Sequence, residues 1–143
     1  MRKRTRAREF TVQVLYQMDV TGGPAQAVLD NFWQAQDQEN AGPEIKNFAA
    51  ELAQGVEDNL AAIDVKIAGY ATNWQLERMA MVDRNILRLG CFELTMRQDI
   101  PPKVSINEAV DLAKKYSGPE AGKFVNAILD KIKAEVDNAG PKK

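Results

Sequence analysis

The sequence of 143 residues contains no histidine and only one cysteine, Cys91. Histidine is the commonest general base and metal ligand, so its absence removes the Ser-His and Cys-His pairs of many hydrolases. A single cysteine cannot form an internal disulfide or a multi-cysteine zinc site. The chain also lacks a glycine-rich phosphate loop. These absences predict a protein that is not an enzyme, needs no metal or cofactor, and folds without an oxidising compartment.

Long apolar runs are missing as well. No window approaches the roughly 18 consecutive apolar residues that a transmembrane helix needs, and the basic start has no apolar segment of the kind found in secretory signals. We therefore expect a cytoplasmic protein that does not act at a membrane. The composition, 45% hydrophobic and 27% charged, is typical of a compact soluble protein. The length favours a single domain over residues 1–143.

Positive charge is concentrated at the start of the chain. Residues 1–8 hold five cations and no acid, whereas the remaining residues hold 14 Lys and Arg against 20 Asp and Glu, a net charge of −6. The five cations are Arg2, Lys3, Arg4, Arg6 and Arg8. An acidic body with a cationic tip indicates a polyanionic ligand or an acidic partner surface. A solubilising tail is the alternative interpretation.

Apolar residues recur with helical periodicity along the whole chain, and no segment alternates as a half-buried strand does. The pattern predicts an all-α fold of about seven helices in two packed small helical bundles that share a central helix. Glycine and proline signals set the boundaries. The first five predicted helices run from about Arg4 to Val20, from Pro24 to Gln36, through Ile45 to Val56, from Leu60 to Gly69, and from Met79 to Arg97.

The fifth predicted helix is apolar around most of its circumference, which is typical of a central, buried helix. Only an arc with Arg84, Arg88 and Thr95 is expected to face water. Glu93 falls on the apolar side, where an unpaired charge would be costly, so we expect it to have a basic partner.

Two prolines and a capping pattern divide the C-terminal third. Residues 99–102 (DIPP) are expected to break the chain, and Ser105 with Glu108 has capping-box spacing, so the sixth helix is predicted to begin at Ser105. Residues 117–119 (SGP) should end this helix and start the last one, which should continue to a frayed tail from Asn138.

Two aromatic residues are candidates for stacking on an unpaired base. Phe124 lies beside the apolar stripe of the last helix, and Lys123 precedes it, so the pair could hold a base and the neighbouring phosphate. Tyr16 lies on the outer side of the arginine-bearing first helix. The alternative for both is that the ring closes the edge of the core. Together with the arginine cluster, these rings favour single-stranded nucleic acid over a membrane or an acidic protein.

Two C-terminal motifs closely resemble the signature of the NusB family. They are residues 101–115 (PPKVSINEAVDLAKK) and 123–130 (KFVNAILD). Residues 6–9 (RARE), 13–16 (QVLY), 83–88 (DRNILR) and 92–94 (FEL) are also similar and stand in the same order. The chain departs from the family pattern at Ala127, where glycine is usual, and at Gly90, where alanine is usual.

The resemblance implies an all-α fold of two small bundles and a complex with NusE, a small-subunit ribosomal protein. Such a complex binds the single-stranded boxA element of nascent ribosomal RNA, joins the transcription elongation complex and promotes antitermination. By similarity, the RNA contacts would be Lys3, Arg4, Arg6, Arg8, Tyr16, Lys123, Phe124 and Asn126. The partner surface would include Tyr70, Asp83 and Arg84.

Two other functions stay open at this point. The chain could be the NusB-like RNA-binding domain of a ribosomal RNA cytosine methyltransferase, or a helical adaptor that binds only protein. Whether the free protein forms a homodimer is also open. RNA binding with and without competitor separates the adaptor from the other two.

Overall fold

The computed structural model describes residues 2–35, 41–71 and 76–138. These residues form seven α-helices and one short 3-10 helix, and no strand lies among them, so the predicted all-α class is confirmed. The helices are α1 (Lys3–Thr21), α2 (Ala25–Ala35), α3 (Pro43–Asp58), α4 (Leu60–Tyr70), α5 (Met81–Met96), α6 (Pro102–Ser117) and α7 (Pro119–Asn138), with the 3-10 helix at Leu76–Arg78 before α5.

Most predicted boundaries agree with these helices to within a few residues. The end of α1 has a clear local cause: Gly22 adopts a left-handed conformation with φ of 73°, and its N–H donates to Met18 O at 2.8 Å. Glycine tolerates this conformation without a Cβ penalty. The predicted helix end at Gln36, the connection through residues 72–74 and the tail beyond Asn138 lie outside the described residues.

The chain divides into two compact units, Met1–Asp58 and Asn59–Lys143. In the first unit α1 packs against α2 and α3. Phe10, Phe32 and Trp33 meet edge to face with ring centroids 5.1 to 5.6 Å apart, an arrangement that aromatic rings favour. The assignment of residues 1–143 to a single domain stays a prediction.

Helix α1 is covered over more of its surface than its apolar stripe predicts. Phe10 and Val14 are buried as expected, but so are Arg8, Thr11 and Val12. The Thr11 hydroxyl satisfies its hydrogen-bonding capacity by donating to Ala7 O at 2.8 Å. The periodicity argument assumed one buried face, whereas the middle of this helix is enclosed on several sides.

In the second unit α5 packs against α4, α6 and α7, which confirms its buried position. The expected water-facing arc is only partly correct. Arg88 donates from Nε to Asp64 Oδ1 at 2.8 Å and from NH2 to Asp64 Oδ2 at 3.0 Å, and its side chain is mostly covered. This bidentate ion pair joins α5 to α4 and removes Arg88 from the solvent-facing set.

Gly90 explains how closely α5 approaches α7. A Cβ at this position would lie 2.7 Å from Leu129 Cδ1, which is closer than packed carbon atoms come. The glycine that departs from the family pattern therefore accommodates the Leu129 side chain. Nearby Cys91 is also buried, and burial raises the pKa of its thiol to about 12.

The predicted start of α6 is wrong by three residues. The helix begins at Pro102, directly after the extended residue Pro101. Proline suits the first helical position because its missing N–H would have no partner there anyway. Ser105 is therefore not a cap. It lies inside the helix, is buried, and donates from Oγ to Glu93 Oε1 at 2.9 Å. The basic partner expected for Glu93 stays a prediction.

Candidate nucleic-acid interface

The first turns of α1 present a cluster of cations arranged over aromatic rings. The Arg4 guanidinium lies 4.3 Å from the centroid of Phe48, and that of Arg6 lies 4.2 Å from the centroid of Phe10. Lys3 is exposed and forms an ion pair with the equally exposed Glu44 at 3.1 Å. Cation–π contact fixes the direction of an arginine without neutralising its charge. The cluster therefore stays positive while its side chains are partly ordered.

The position of these cations is unfavourable for the helix itself. The N-terminal end of an α-helix carries a partial positive charge, so cations there cost roughly 0.3–1 kcal/mol each instead of stabilising it. The first turn of α1 contains no acidic residue that would offset this. The acids that pair with the cluster lie outside this turn: Glu9 is 2.8 Å from Arg6, and Glu44 of α3 is 3.1 Å from Lys3. A surface that raises its own electrostatic energy in this way is suited to an anionic ligand.

Arg8 must be removed from the predicted RNA-contact set. Its residue surface is 2% exposed, and its guanidinium lies 5.4 Å from the Phe48 ring centroid. A guanidinium that solvent does not reach cannot contact a phosphate without local unfolding. The family resemblance placed Arg8 in the RNA-contact set, and a resemblance does not report which cations of the basic start the neighbouring helices cover.

Tyr16 is in the position that the sequence predicted. It lies on α1 and is 43% exposed, so its ring is available for contact with a ligand. It stands more than two helical turns along α1 from Arg6, and the first unit therefore offers a cationic end and a separate aromatic site on one helix.

In the second unit Phe124 lines an open pocket of about 300 Å³. The residue is half-buried, which is intermediate between the two interpretations of this ring. The pocket lies beside the start of α5, the end of α6 and the start of α7. It is lined by Met79, Ala80, Asp83, Ser117, Glu120, Ala121 and Phe124. Apolar side chains line part of the pocket, and two carboxylates stand among them.

Lys123 and Asn126 lie on the exposed side of α7. The Lys123 ammonium is 3.5 Å from Glu120 Oε1, and both side chains are more than three quarters exposed. Such a long, solvated ion pair contributes little stability and is easily exchanged for a phosphate. The structure thus brings Lys123, Phe124 and Asn126 together within the first two turns of one helix.

The predicted partner-binding residues occupy different places in the second unit. Asp83 lines the Phe124 pocket and accepts a hydrogen bond from Ser117 Oγ at 2.7 Å. Arg84, next to it in the chain, extends NH1 to Leu76 O at 3.4 Å. Tyr70 is the last residue of α4 and is half-buried. The structure places Asp83 and Phe124 at one pocket, although the sequence assigned them to different ligands.

Sequence reasoning missed several residues of this region. The contributions of Met79, Ser117 and Glu120 to the pocket depend on how α5, α6 and α7 meet, and no local pattern reports that. It also missed the contact between Lys114 and Gly122, where a Cβ on the glycine would lie 2.8 Å from Lys114 Cγ. An isolated glycine inside a helical pattern was the available signal.

Among residues 2–35, 41–71 and 76–138, no helix is long and apolar enough to span a membrane. No group of three or more acidic or cysteine side chains in these ranges is positioned to hold a metal ion.

Comparisons with known proteins give a consistent result. The model of the NusB family matches residues 5–134. A transcription antitermination protein NusB from Anaeromyxobacter dehalogenans is 47% identical over 130 residues, which cover 91% of this chain and 89% of that protein. Among solved structures, NusB of T. maritima superposes with a TM-score of 0.82 at 34% identity, covering 94% of this chain and 92% of that one.

A second solved structure contains partners. It is described as the antitermination factors NusB and NusE in complex with double-stranded RNA. Its matching chain superposes with a TM-score of 0.80 at 29% identity, covering 94% of this chain and 98% of that one.

Proposed function

Because the chain belongs to the NusB family, we propose that it is a non-catalytic RNA-binding protein that acts in transcription antitermination. In this proposal it binds the boxA element of nascent ribosomal RNA together with NusE and joins the transcription elongation complex. The observation that carries the proposal is the similarity to a protein solved with both NusE and RNA. The surface chemistry of this chain supports it independently.

The cationic end of α1 supports an RNA backbone as ligand. Lys3, Arg4 and Arg6 stand near the positive end of a helix dipole, which disfavours cations, although Lys3 pairs with Glu44 and Arg6 with Glu9. Phosphates would replace this repulsion by attraction and would release their counterions on binding. We assign these three cations, without the buried Arg8, to backbone contacts.

The start of α7 supports contact with an unpaired base. Phe124 is half-buried and lines an open pocket. A base stacked on this ring would leave its phosphate near Lys123, and Asn126 could donate to or accept from a base edge. Stacking of this kind requires a base that is not already paired within a duplex, so the preferred ligand is single-stranded.

Asp83, Arg84 and Tyr70 are proposed as part of the NusE-binding surface. Asp83 supports this assignment because the residue is half-buried and the hydrogen bond that its carboxylate accepts from Ser117 leaves acceptor capacity. A partner cation or backbone N–H could use that capacity.

The test is binding of the purified protein to a short single-stranded boxA RNA, with and without NusE. The same RNA annealed to its complement and a scrambled strand serve as controls. We expect the single strand to bind most tightly, with NusE increasing the affinity. Binding to NusE without any binding to RNA would favour the protein-only adaptor instead.

The remaining alternative is the RNA-binding domain of a ribosomal RNA cytosine methyltransferase. The reported relatives are antitermination factors, which supports the first proposal. An antitermination assay on a template with boxA distinguishes the two, because only an antitermination factor should increase readthrough by the polymerase.

A further inference from the structure

Lys114 and Gly122 form a contact that the proposed contact residues do not include. Lys114 lies in the last turn of α6 and Gly122 in the second turn of α7. A Cβ on Gly122 would lie 2.8 Å from Lys114 Cγ, 3.2 Å from Cε and 3.6 Å from Cδ. The lysine stem therefore lies along the α7 backbone in the space that any other residue would fill.

This contact directs a cation to the start of α7. The Lys114 ammonium stands one bond beyond a Cε that is already against Gly122. Lys123 follows Gly122 directly in sequence. Asn126 lies four residues, or about one helical turn, after Gly122 and therefore on the same side of α7 as Gly122. Lys114 thus approaches the exposed side of α7 on which two proposed RNA contacts lie.

The ammonium of Lys114 forms no hydrogen bond or ion pair with the residues that the structure describes; its backbone carbonyl accepts from Gly118 N–H at 3.1 Å. Other lysines differ: Lys66 pairs with Glu135 at 3.0 Å, and Lys133 pairs with Asp137 at 2.8 Å. Lys114 is an exposed residue whose stem packs against Gly122, which is the arrangement expected for a long cationic side chain that packs its methylenes and presents its charge.

We propose that Lys114 contacts an RNA phosphate beside Lys123 and Asn126, and that Gly122 is the positioning residue that admits its side chain. The proposal rests on the RNA binding proposed above and adds a residue from α6 to that interface. The ligand is the phosphodiester backbone, so the contact is independent of base identity.

The first test is Lys114→Met, which keeps an apolar stem of similar length and removes the charge. We expect affinity for single-stranded boxA RNA to fall about two- to fivefold, the effect of one exposed ion pair. The slope of log affinity against log salt should become shallower by about 0.7, the value for one phosphate of a single strand. Lys131→Met, an exposed cation farther along α7, is the matched control and should change neither.

The second test is Gly122→Ala, which alters no charge. The added Cβ should displace the Lys114 stem and lower RNA affinity, whereas the melting midpoint should be unchanged or higher because alanine favours the helix. The double variant should bind no more weakly than Lys114→Met alone, because the glycine acts only through the lysine.

The outcomes are distinguishable. Equal salt slopes for Lys114→Met and Lys131→Met, or an additive loss in the double variant, would overturn the role of Lys114 and leave the proposed function standing. A lower melting midpoint of Lys114→Met with unchanged RNA affinity would show that the lysine only covers the glycine. Failure of the unmodified protein to bind any RNA would overturn both proposals.

Discussion

Ser105 and Glu93 form a buried hydrogen bond between α6 and α5. The hydroxyl donates to Glu93 Oε1 at 2.9 Å, and each residue is only 1% exposed. The serine lies three residues inside a helix that begins with proline. The Ser105 hydroxyl therefore donates to a carboxylate on α5 and does not cap the free N–H groups at the start of α6.

Replacing Ser105 with alanine tests this role. The substitution leaves a buried carboxylate oxygen without one donor, so we expect a loss of about 1–3 kcal/mol in the free energy of unfolding. Urea denaturation followed by circular dichroism measures it. Ser117→Ala removes a similar hydrogen bond from the exposed Ser117–Asp83 pair and should cost much less. Equal losses in the two variants would contradict a special role for burial.

Neutralising the start of α1 should separate RNA binding from stability. In the double variant Lys3→Gln and Arg4→Gln, the slope of log affinity against log salt should become shallower by about 1.4, since each phosphate contributes about 0.7. The melting midpoint should change little, because the lost cation–π contact and exposed ion pair are offset by relief of dipole repulsion.

The matched control for that variant replaces Lys103 and Lys131, two exposed cations of the second unit, with glutamine. It changes the net charge equally and should leave the salt slope near that of the unmodified protein. If both variants reduced the slope alike, binding would depend on net charge and the α1 cluster would have no particular role.

Truncation of Phe124 addresses the two interpretations of its ring. We expect Phe124→Ala to weaken binding of single-stranded RNA by about 1–3 kcal/mol, with only a modest fall in the melting midpoint because the ring is half-buried. Phe124→Leu should keep most of the stability and still lose the stacking, whereas Phe124→Tyr should retain binding. A destabilisation of about 3–5 kcal/mol, the cost of truncating a fully buried Phe, would identify a core residue.

Cys91 provides a pH-dependent prediction. Burial raises the pKa of its thiol from 9.0 to about 12, whereas the unfolded chain should titrate near the ordinary value. Below about pH 9 the thiol is neutral in both the folded and the unfolded chain, so its raised pKa does not change the free energy of unfolding with pH. As the pH rises from about 9 towards 12, the unfolded chain loses this proton first, and the free energy of unfolding should fall.

The same burial should protect the thiol from alkylation. At pH 8 iodoacetamide should react slowly with the folded protein and rapidly in denaturing urea, since the thiolate is the nucleophile. Mass spectrometry of timed samples gives both rates. Rapid alkylation of the folded protein would show that Cys91 is accessible.

The candidate site was only partly predictable from sequence. Lys123 and Phe124 were identified from their positions on the last helix and from the resemblance, and Asn126 was identified from the resemblance alone. Lys123 and Asn126 share a side of α7 because they are three residues apart, whereas Phe124 lines a pocket. Arg8 belonged to the same basic run as Arg6, yet the fold buries one and exposes part of the other. Charge pattern records how many cations a segment has, and it does not record which of them the neighbouring helices cover.

The sequence by itself determined the helices, because the spacing of apolar residues and the glycine and proline signals act within a few residues along the chain. Gly22 ends α1 through its own backbone conformation, whatever packs nearby. Only the tertiary structure decided the use of Ser105, the burial of Arg8, the pairing of Arg88 with Asp64 and the placement of Lys114 on Gly122. Each depends on a second residue that is distant in sequence or on another helix, and its position follows from helix packing.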